Sequence, residues 1–416
     1  MRVLSALFVA CLLTACGWSS AEPKVTVTSL VERESIALTV YNPSVSLIQE
    51  RRTLSLNKGV NEFRVTWAGV TVHRDSVRLV PEDEGNVVVR DVVHLQSDPN
   101  TVIWHLDAKR AGPQKVSISY YAAGFSWNAD HVMTVDENEK QLWLKTWAGV
   151  TNASGENYTD AMIRLVMGDV RVISVGGVAR AEALEGAQSG ANVAMDAMMP
   201  APAAFPFSRE GFAEYTFFTL ERPETLESGD TKRVALAAST TIPVRKVYTF
   251  DPNQFGGNVA MQYWFDNEKD YQLGAIPPGL LRAYRRENDG RLSLLGEDRL
   301  PYVPVDETAK IYLGNARNVI VETAQTDYQQ SEEQWSPDKS RLVSYIEEKA
   351  FKVTITNRKA QTIELIVRQY TPTDADLVSS EPTADQPRLG TLEWKLELES
   401  GQKREITYRY TRKVYK

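Results

Sequence analysis

Cysteine is almost absent from this chain. Its 416 residues hold two, Cys11 and Cys16, both at the extreme N-terminus. No disulfide framework and no cysteine-based zinc site can be built in the body of such a chain. Histidine is nearly as scarce: His73, His94, His105 and His131 are the only four, and no two stand at the His-x-x-x-His spacing. A basic excess is missing too. Lys and Arg number 47 against 54 Asp and Glu, for a formal charge of −7 and a pI near 5.4. No block of like charges is long enough to form a tail, and nucleic acid is not expected as a partner. Past the N-terminus no apolar run approaches the roughly 18 residues of a membrane-spanning helix. Long helical periodicity is nearly absent as well.

What is present begins at the N-terminus. Arg2 precedes an almost wholly apolar run from Val3 to Leu13, too short for a bilayer span and suited to a signal-peptide core. It ends in Leu13-Thr14-Ala15-Cys16, which looks like a bacterial lipobox. In such a motif the small residues fit the peptidase and the Cys16 thiol takes the lipid. Cleavage after Ser19-Ser20-Ala21 is the alternative, and both readings export the protein. Gly17 is not an Asp, so nothing obvious retains the protein at an inner membrane. Once Cys11 is removed and Cys16 is lipidated or lost, no disulfide is expected. Stability must then come from core burial.

Period-two alternation dominates the remainder. Ile36, Leu38 and Val40 mark the first clear strand. Leu54–Leu56 and Phe63–Val65 flank Asn57-Lys58-Gly59, which reads as a hairpin turn. Further strands are expected at Ser76–Val80, Val87–Leu95, Val102–Leu106 and Val116–Tyr121. His131–Val135 and Leu142–Trp147 should flank an Asp136–Lys140 turn. Near the C-terminus Phe351, Val353 and Ile355 share a face, as do Ile363, Leu365 and Val367. Leu392, Trp394, Leu396 and Leu398 point inward opposite Glu393, Lys395, Glu397 and Glu399; Ile406, Tyr408 and Tyr410 repeat the pattern. The fold class is mainly β, in several antiparallel β-sandwich modules, the C-terminal one immunoglobulin-like.

The expected domains are a signal peptide with lipobox (1–23), an N-terminal β module (24–95) and a β domain in two parts (96–175 and 210–330). A C-terminal β-sandwich (331–416) completes the chain. Between the two parts, residues 176–209 are rich in Ala, Gly, Met and Pro and read as a flexible insertion. That insertion is either a long loop within one domain or a boundary.

From Ala123 onward the sequence resembles the bacterial mucoidy-inhibitor-like family, built on a domain of unknown function. The resemblance rests on Gly124–Asp130, Trp147–Tyr158, Leu165–Val170, Leu273–Gly279, Gly296–Asp298, Ile355–Asn357 and the Trp394 strand. Longer members carry a coiled-coil N-terminal part, which is lacking here. The resemblance implies an envelope location and β-sandwich modules, and it supplies no catalytic residues.

Motifs that carry chemistry are all incomplete. Gly124-Phe125-Ser126-Trp127-Asn128 matches half of the G-x-S-x-G nucleophile elbow, with Asn128 in place of the second glycine. Ser55/Lys58 and Ser336/Lys339 have Ser-x-x-Lys spacing but sit in turns. His105 and Asp107 fall on one strand face. Asp251–Gly256 opens like a calcium loop, yet Phe255 removes one ligand and Gln262 stands where a bidentate Glu belongs. A simple Asp-Pro turn explains it. Tyr263-Trp264-Phe265 and Tyr120-Tyr121 are candidate aromatic platforms, although Tyr263 and Phe265 must point away from Trp264. No catalytic, cofactor or metal residue is assigned; Cys16 is the one site residue. The expected function is a non-enzymatic binding or structural module at the cell envelope, held by lipid in the periplasm or outer membrane. Its expected partners are membrane lipid together with envelope proteins or glycan. An exported hydrolase acting on envelope glycan or peptide is the alternative.

Overall fold

The computed structural model describes residues 25–27, 31–41, 45–168, 207–212 and 215–416. The lipobox at Leu13–Cys16 and most of the 176–209 insertion lie outside them. The chain is mainly β. Among the described residues the only helical elements are Pro252–Phe255 and the 3-10 turn Lys269–Tyr271.

The chain divides into two compact units. One draws on Met1–Phe125, Asn152–Val166 and Pro223–Asp230, the other on Ser126–Thr151, Met167–Arg222 and Thr231–Lys416. Residues 96–175 therefore supply strands to both.

In the first unit, one sheet runs in the order Val25–Val27, Gly59–Thr66, Thr101–Ala108, Val87–His94. A second sheet sets Tyr158–Met167 parallel to Ser35–Tyr41, followed antiparallel by Val45–Leu56, Gly112–Ala122 and Val72–Pro81. Leu38, Val40, Ile48, Phe63, Trp104 and Tyr120 are buried, as alternation predicts. The Asn57–Gly59 turn is not a hairpin. Val45–Leu56 pairs with Ser35–Tyr41 and Gly112–Ala122, while Gly59–Thr66 pairs with Thr101–Ala108, so the turn carries the chain from one sheet to another. Buried Asn61 fixes it by donating to the carbonyls of Asn57 (2.8 Å) and Gly59 (2.9 Å) and accepting from the Asn57 amide.

The inward face of Val45–Leu56 also carries Glu50 and Arg52, both buried. Arg52 donates twice to Glu50 Oε2, and the Tyr120 hydroxyl donates to Oε1 at 2.6 Å. Burial, then the adjacent Glu50 carboxylate, push the Tyr120 phenol far above its ordinary range and keep it a donor. The cluster is internally satisfied, as buried charge requires.

The second unit holds three sheets. The first orders Thr231–Ala238, Gln141–Asn152, Phe125–Val135, Gly279–Arg286 and Leu292–Leu300, with Ile242–Pro243 paired to Gln141–Asn152. Next comes Thr308–Asn315, Val259–Asp266, Arg245–Phe250, Ile363–Tyr370, Thr391–Leu398, Asp385–Arg388. The last is Val319–Trp335, Leu342–Asn357, Lys403–Tyr415, Asp376–Glu381. Met133, Leu144, Tyr263, Phe265, Leu281 and Ile311 belong to one core. Tyr248, Phe250, Val353, Leu365, Trp394 and Tyr408 belong to another. The inward faces of the C-terminal strands largely fall as the alternation predicts, with departures: Phe351 is half-buried, Ile366 is buried on the opposite face, and so is one acidic residue. Glu393 is buried although its neighbours Lys395 and Glu397 are exposed, because Arg368 and Lys395 close over it.

Candidate functional site

Several residues in the stretches that carry the family resemblance serve close backbone packing. A Cβ on Gly124 would lie 2.7 Å from Ser154 Cα, and one on Gly155 would lie 2.5 Å from the Gly69 carbonyl oxygen. Asn152, fully buried, donates to the carbonyls of Glu156 and Leu226 and accepts from Ser154. Asn357 does the same work, donating to Gln361, Leu398 and Glu399. Such an amide satisfies carbonyls that no strand ladder reaches.

The residues considered for chemistry do not converge. Ser126 lies exposed on a strand, not on a helix-capped elbow. Ser336 donates to Asp338, and Lys339 sits at φ 54 in the same turn. His105 pairs across the sheet with Asp91 and shares a strand face with Asp107. Among the described residues no cluster of three or more His, Cys, Asp or Glu is arranged to hold a metal ion. Asp251 caps the Pro252–Phe255 turn, accepting from the amides of Asn253 and Gln254. Tyr263 and Phe265 are core, whereas Trp264 is half-exposed. Tyr120 is buried and Tyr121 exposed, so neither pair forms a continuous platform.

His131 is fully buried between Thr146 Oγ1 and the Pro277 carbonyl, 3.0 Å from each. Since a carbonyl only accepts, Nε2 carries the proton and Nδ1 accepts from Thr146. Burial pushes the imidazole down to about 4 from 6.5. Between those values the unfolded chain binds a proton that the folded chain refuses. The stabilisation is therefore complete above pH 6.5 and is lost as pH falls toward 4, by about 3 kcal/mol. Urea unfolding at pH 7 and pH 4.5 should show a steeper loss for the wild type than for His131→Gln. Equal losses would contradict the buried neutral imidazole.

One concave site gathers titratable groups. A cavity of about 310 Å³ is lined by Asp251, Gln254, Arg368, Tyr370, Arg388 and Glu393. Arg368 bridges Glu393 Oε2 (2.8 Å) and Asp251 Oδ2 (3.3 Å), and the Tyr370 hydroxyl donates to Asp251 Oδ1 at 2.9 Å. Burial, then that hydrogen bond, raise the Tyr370 phenol. Neither imidazole nor thiol lines the cavity, and both carboxylates are committed to Arg368. This arrangement ties the helical cap to two strands of the sandwich.

A more open site lies on the outer face of the first sheet of this unit. In Gln141–Asn152 the buried parity is Leu142, Leu144, Thr146 and Ala148, which turns Trp143, Lys145 and Trp147 outward. Lys145 Nζ stands 4.3 Å from the Trp147 ring centre, and the Arg233 guanidinium 5.4 Å from it. Arg286 lies 5.0 Å over Trp143. Arg233 also reaches Asp130 at 3.4 Å, and Arg282 pairs with Glu297 at 2.8 Å. Lys145 and Arg286 differ: neither has a carboxylate within ion-pair range among the described residues, so only an aromatic quadrupole holds each. A cation parked on a ring keeps its charge for an incoming anion. Tyr284, half-exposed, lies on the same face. The signal for this site was present in the sequence as two tryptophans on the parity opposite Leu142 and Leu144.

The family model described as Domain of unknown function (DUF4139) matches residues 116–414. No curated protein matches the chain. The chain belongs to the DUF4139 family, and both sites above fall within the matched residues.

Proposed function

We propose that this DUF4139 member is an exported, lipid-anchored protein of the cell envelope, acting as a non-enzymatic binding module for an anionic partner. The observation that carries the binding role is the pair Lys145 and Arg286, held on Trp147 and Trp143 without neutralising carboxylates among the described residues. On a chain of net charge −7 this face presents local positive charge over aromatic rings. It favours anionic glycan or protein groups over neutral ones. The apolar leader and the Leu13–Cys16 lipobox support export and anchoring through Cys16. The ion pairs in the charged cleft around Arg368 favour a structural role for it, which lends the hydrolase alternative no support.

The test uses the full chain in native membranes and, after detergent extraction, on sulfated dextran. Lys145→Glu with Arg286→Glu should stay membrane-bound, yet elute from the matrix at clearly lower salt, with about tenfold weaker retention. Cys16→Ser should abolish lipid labelling and leave unprocessed precursor. Equal retention of the charge-reversed protein would remove the binding face. Normal processing of the Cys16 variant would remove the anchor.

A further inference from the structure

The strand Val319–Trp335 ends its sheet, pairing with Leu342–Asn357 on one side only among the described residues. It carries Glu322, Asp327, Glu332 and Glu333 and neither Lys nor Arg. From Glu322 onward nearly every residue is exposed, including Tyr328 and Trp335. The neighbouring rows are neutralised internally. Glu347 is bound by Arg412 and Lys349, Glu348 by Arg409, and Glu405 by Lys352. Glu322, Glu332 and Glu333 have no such cation among the described residues; Glu333 accepts only from Gln330 and Trp335.

We infer that this edge accepts an extended, lysine- or arginine-bearing segment of another protein as an added strand. An unpaired edge offers a row of backbone donors and acceptors to any strand that approaches. Shifts in register near Gln325 and between Ser331 and Gln334 break this row into short stretches, the usual guard against self-pairing. The uncompensated carboxylates make the guard selective. A second copy would bring the same acidic row and be repelled, whereas a basic strand would be drawn in. The inference stands on a different sheet from the Trp143 face and does not depend on it.

The probe is a fluorescent alternating valine–lysine peptide about ten residues long, titrated against the full chain by anisotropy. It should bind saturably. Binding should weaken about tenfold when Glu322, Glu332 and Glu333 are all changed to Gln, with the thermal midpoint unmoved, because these side chains are exposed. Methylating alternate peptide amides, which keeps the charge but removes strand donors, should abolish binding. The Lys145→Glu, Arg286→Glu protein should bind the peptide as the wild type does. Full binding of the methylated peptide, or by the triple variant, would overturn strand addition at this edge. So would the absence of saturable binding to the wild type at roughly millimolar peptide.

Discussion

Replacing Gly279 by alanine should cost about 4 kcal/mol, a large share of the roughly 5–15 kcal/mol that holds a domain folded. Gly279 opens the strand Gly279–Arg286 and stands directly opposite Ala129 in a parallel ladder. A Cβ there would fall 2.1 Å from the Ala129 carbonyl oxygen, 2.8 Å from its carbon and 2.9 Å from His131 Nε2. The first two atoms are backbone of a central strand and cannot rotate away. Relief requires the two strands to part by about an ångström, which weakens the ladder and pulls Pro277 from His131. Overpacking against side chains usually costs about 1–3 kcal/mol; against fixed backbone the cost is higher. Gly257→Ala is the control, since nothing lies within 4 Å of its Cβ position. Chemical unfolding of the two variants checks this. Equal midpoints would mean that the close approach at Gly279 is absent.

Alternation made much of this architecture legible. A strand with one covered face must place every second residue inward, so Val353, Ile355, Leu365, Val367, Ile406 and Tyr408 could be assigned from spacing alone. Partner choice was not legible. Gly59, at φ 99, supports a tight turn, but a turn's chemistry does not say whether the chain returns to the same sheet. The ladder from Gly59–Thr66 to Thr101–Ala108, with Phe63 packed beside Trp104 at 5.7 Å, shows which sheet the strand joins. Asp251 illustrates the same limit. Its spacing to Asn253 opens like a calcium loop that Phe255 breaks, and the Asp-Pro turn could be read from sequence; that Arg368 and Tyr370, more than a hundred residues later, bind its carboxylate could not.

The Trp143 face was hidden for a different reason. Two of the three cations that mark it come from other strands, Arg233 from Thr231–Ala238 and Arg286 from Gly279–Arg286; only Lys145 shares the strand of the tryptophans. Period-two reading sees one strand at a time and treats an outward Trp as an ordinary surface residue. The cross-strand neighbours decide otherwise, because they bring positive charge onto the rings, in Arg286 without a carboxylate beside it among the described residues. The segments that carry the family resemblance showed the opposite bias. Gly124, Gly155, Asn152 and Asn357 look like motif residues, and their contacts explain them as packing constraints without invoking a reaction.

Trp394→Ala should cost about 3–5 kcal/mol, a large share of a domain's roughly 5–15 kcal/mol. Trp394 is 2% exposed and lies in the same core as Leu392, Leu396, Leu398 and Tyr408, whose ring centre is 5.8 Å away. Its indole N–H donates to the Pro382 carbonyl at 2.9 Å and to Ser380 Oγ at 3.2 Å. Truncation removes both the apolar contacts and these bonds. The Pro382 carbonyl would still accept from the Ser380 hydroxyl at 2.6 Å, so the cavity, not an orphaned acceptor, should account for most of the loss. Trp394→Phe separates the two contributions: it fills most of the space, lacks the donor, and should cost about 1–2 kcal/mol. Glu397→Ala, on the exposed face of the same strand, should leave the melting temperature unchanged. Retention on sulfated dextran should fall only in proportion to the folded fraction, because the Trp143 face belongs to another sheet. A Trp394→Ala protein with the wild-type melting temperature and no retention would show this tryptophan to be a ligand contact and not part of the core.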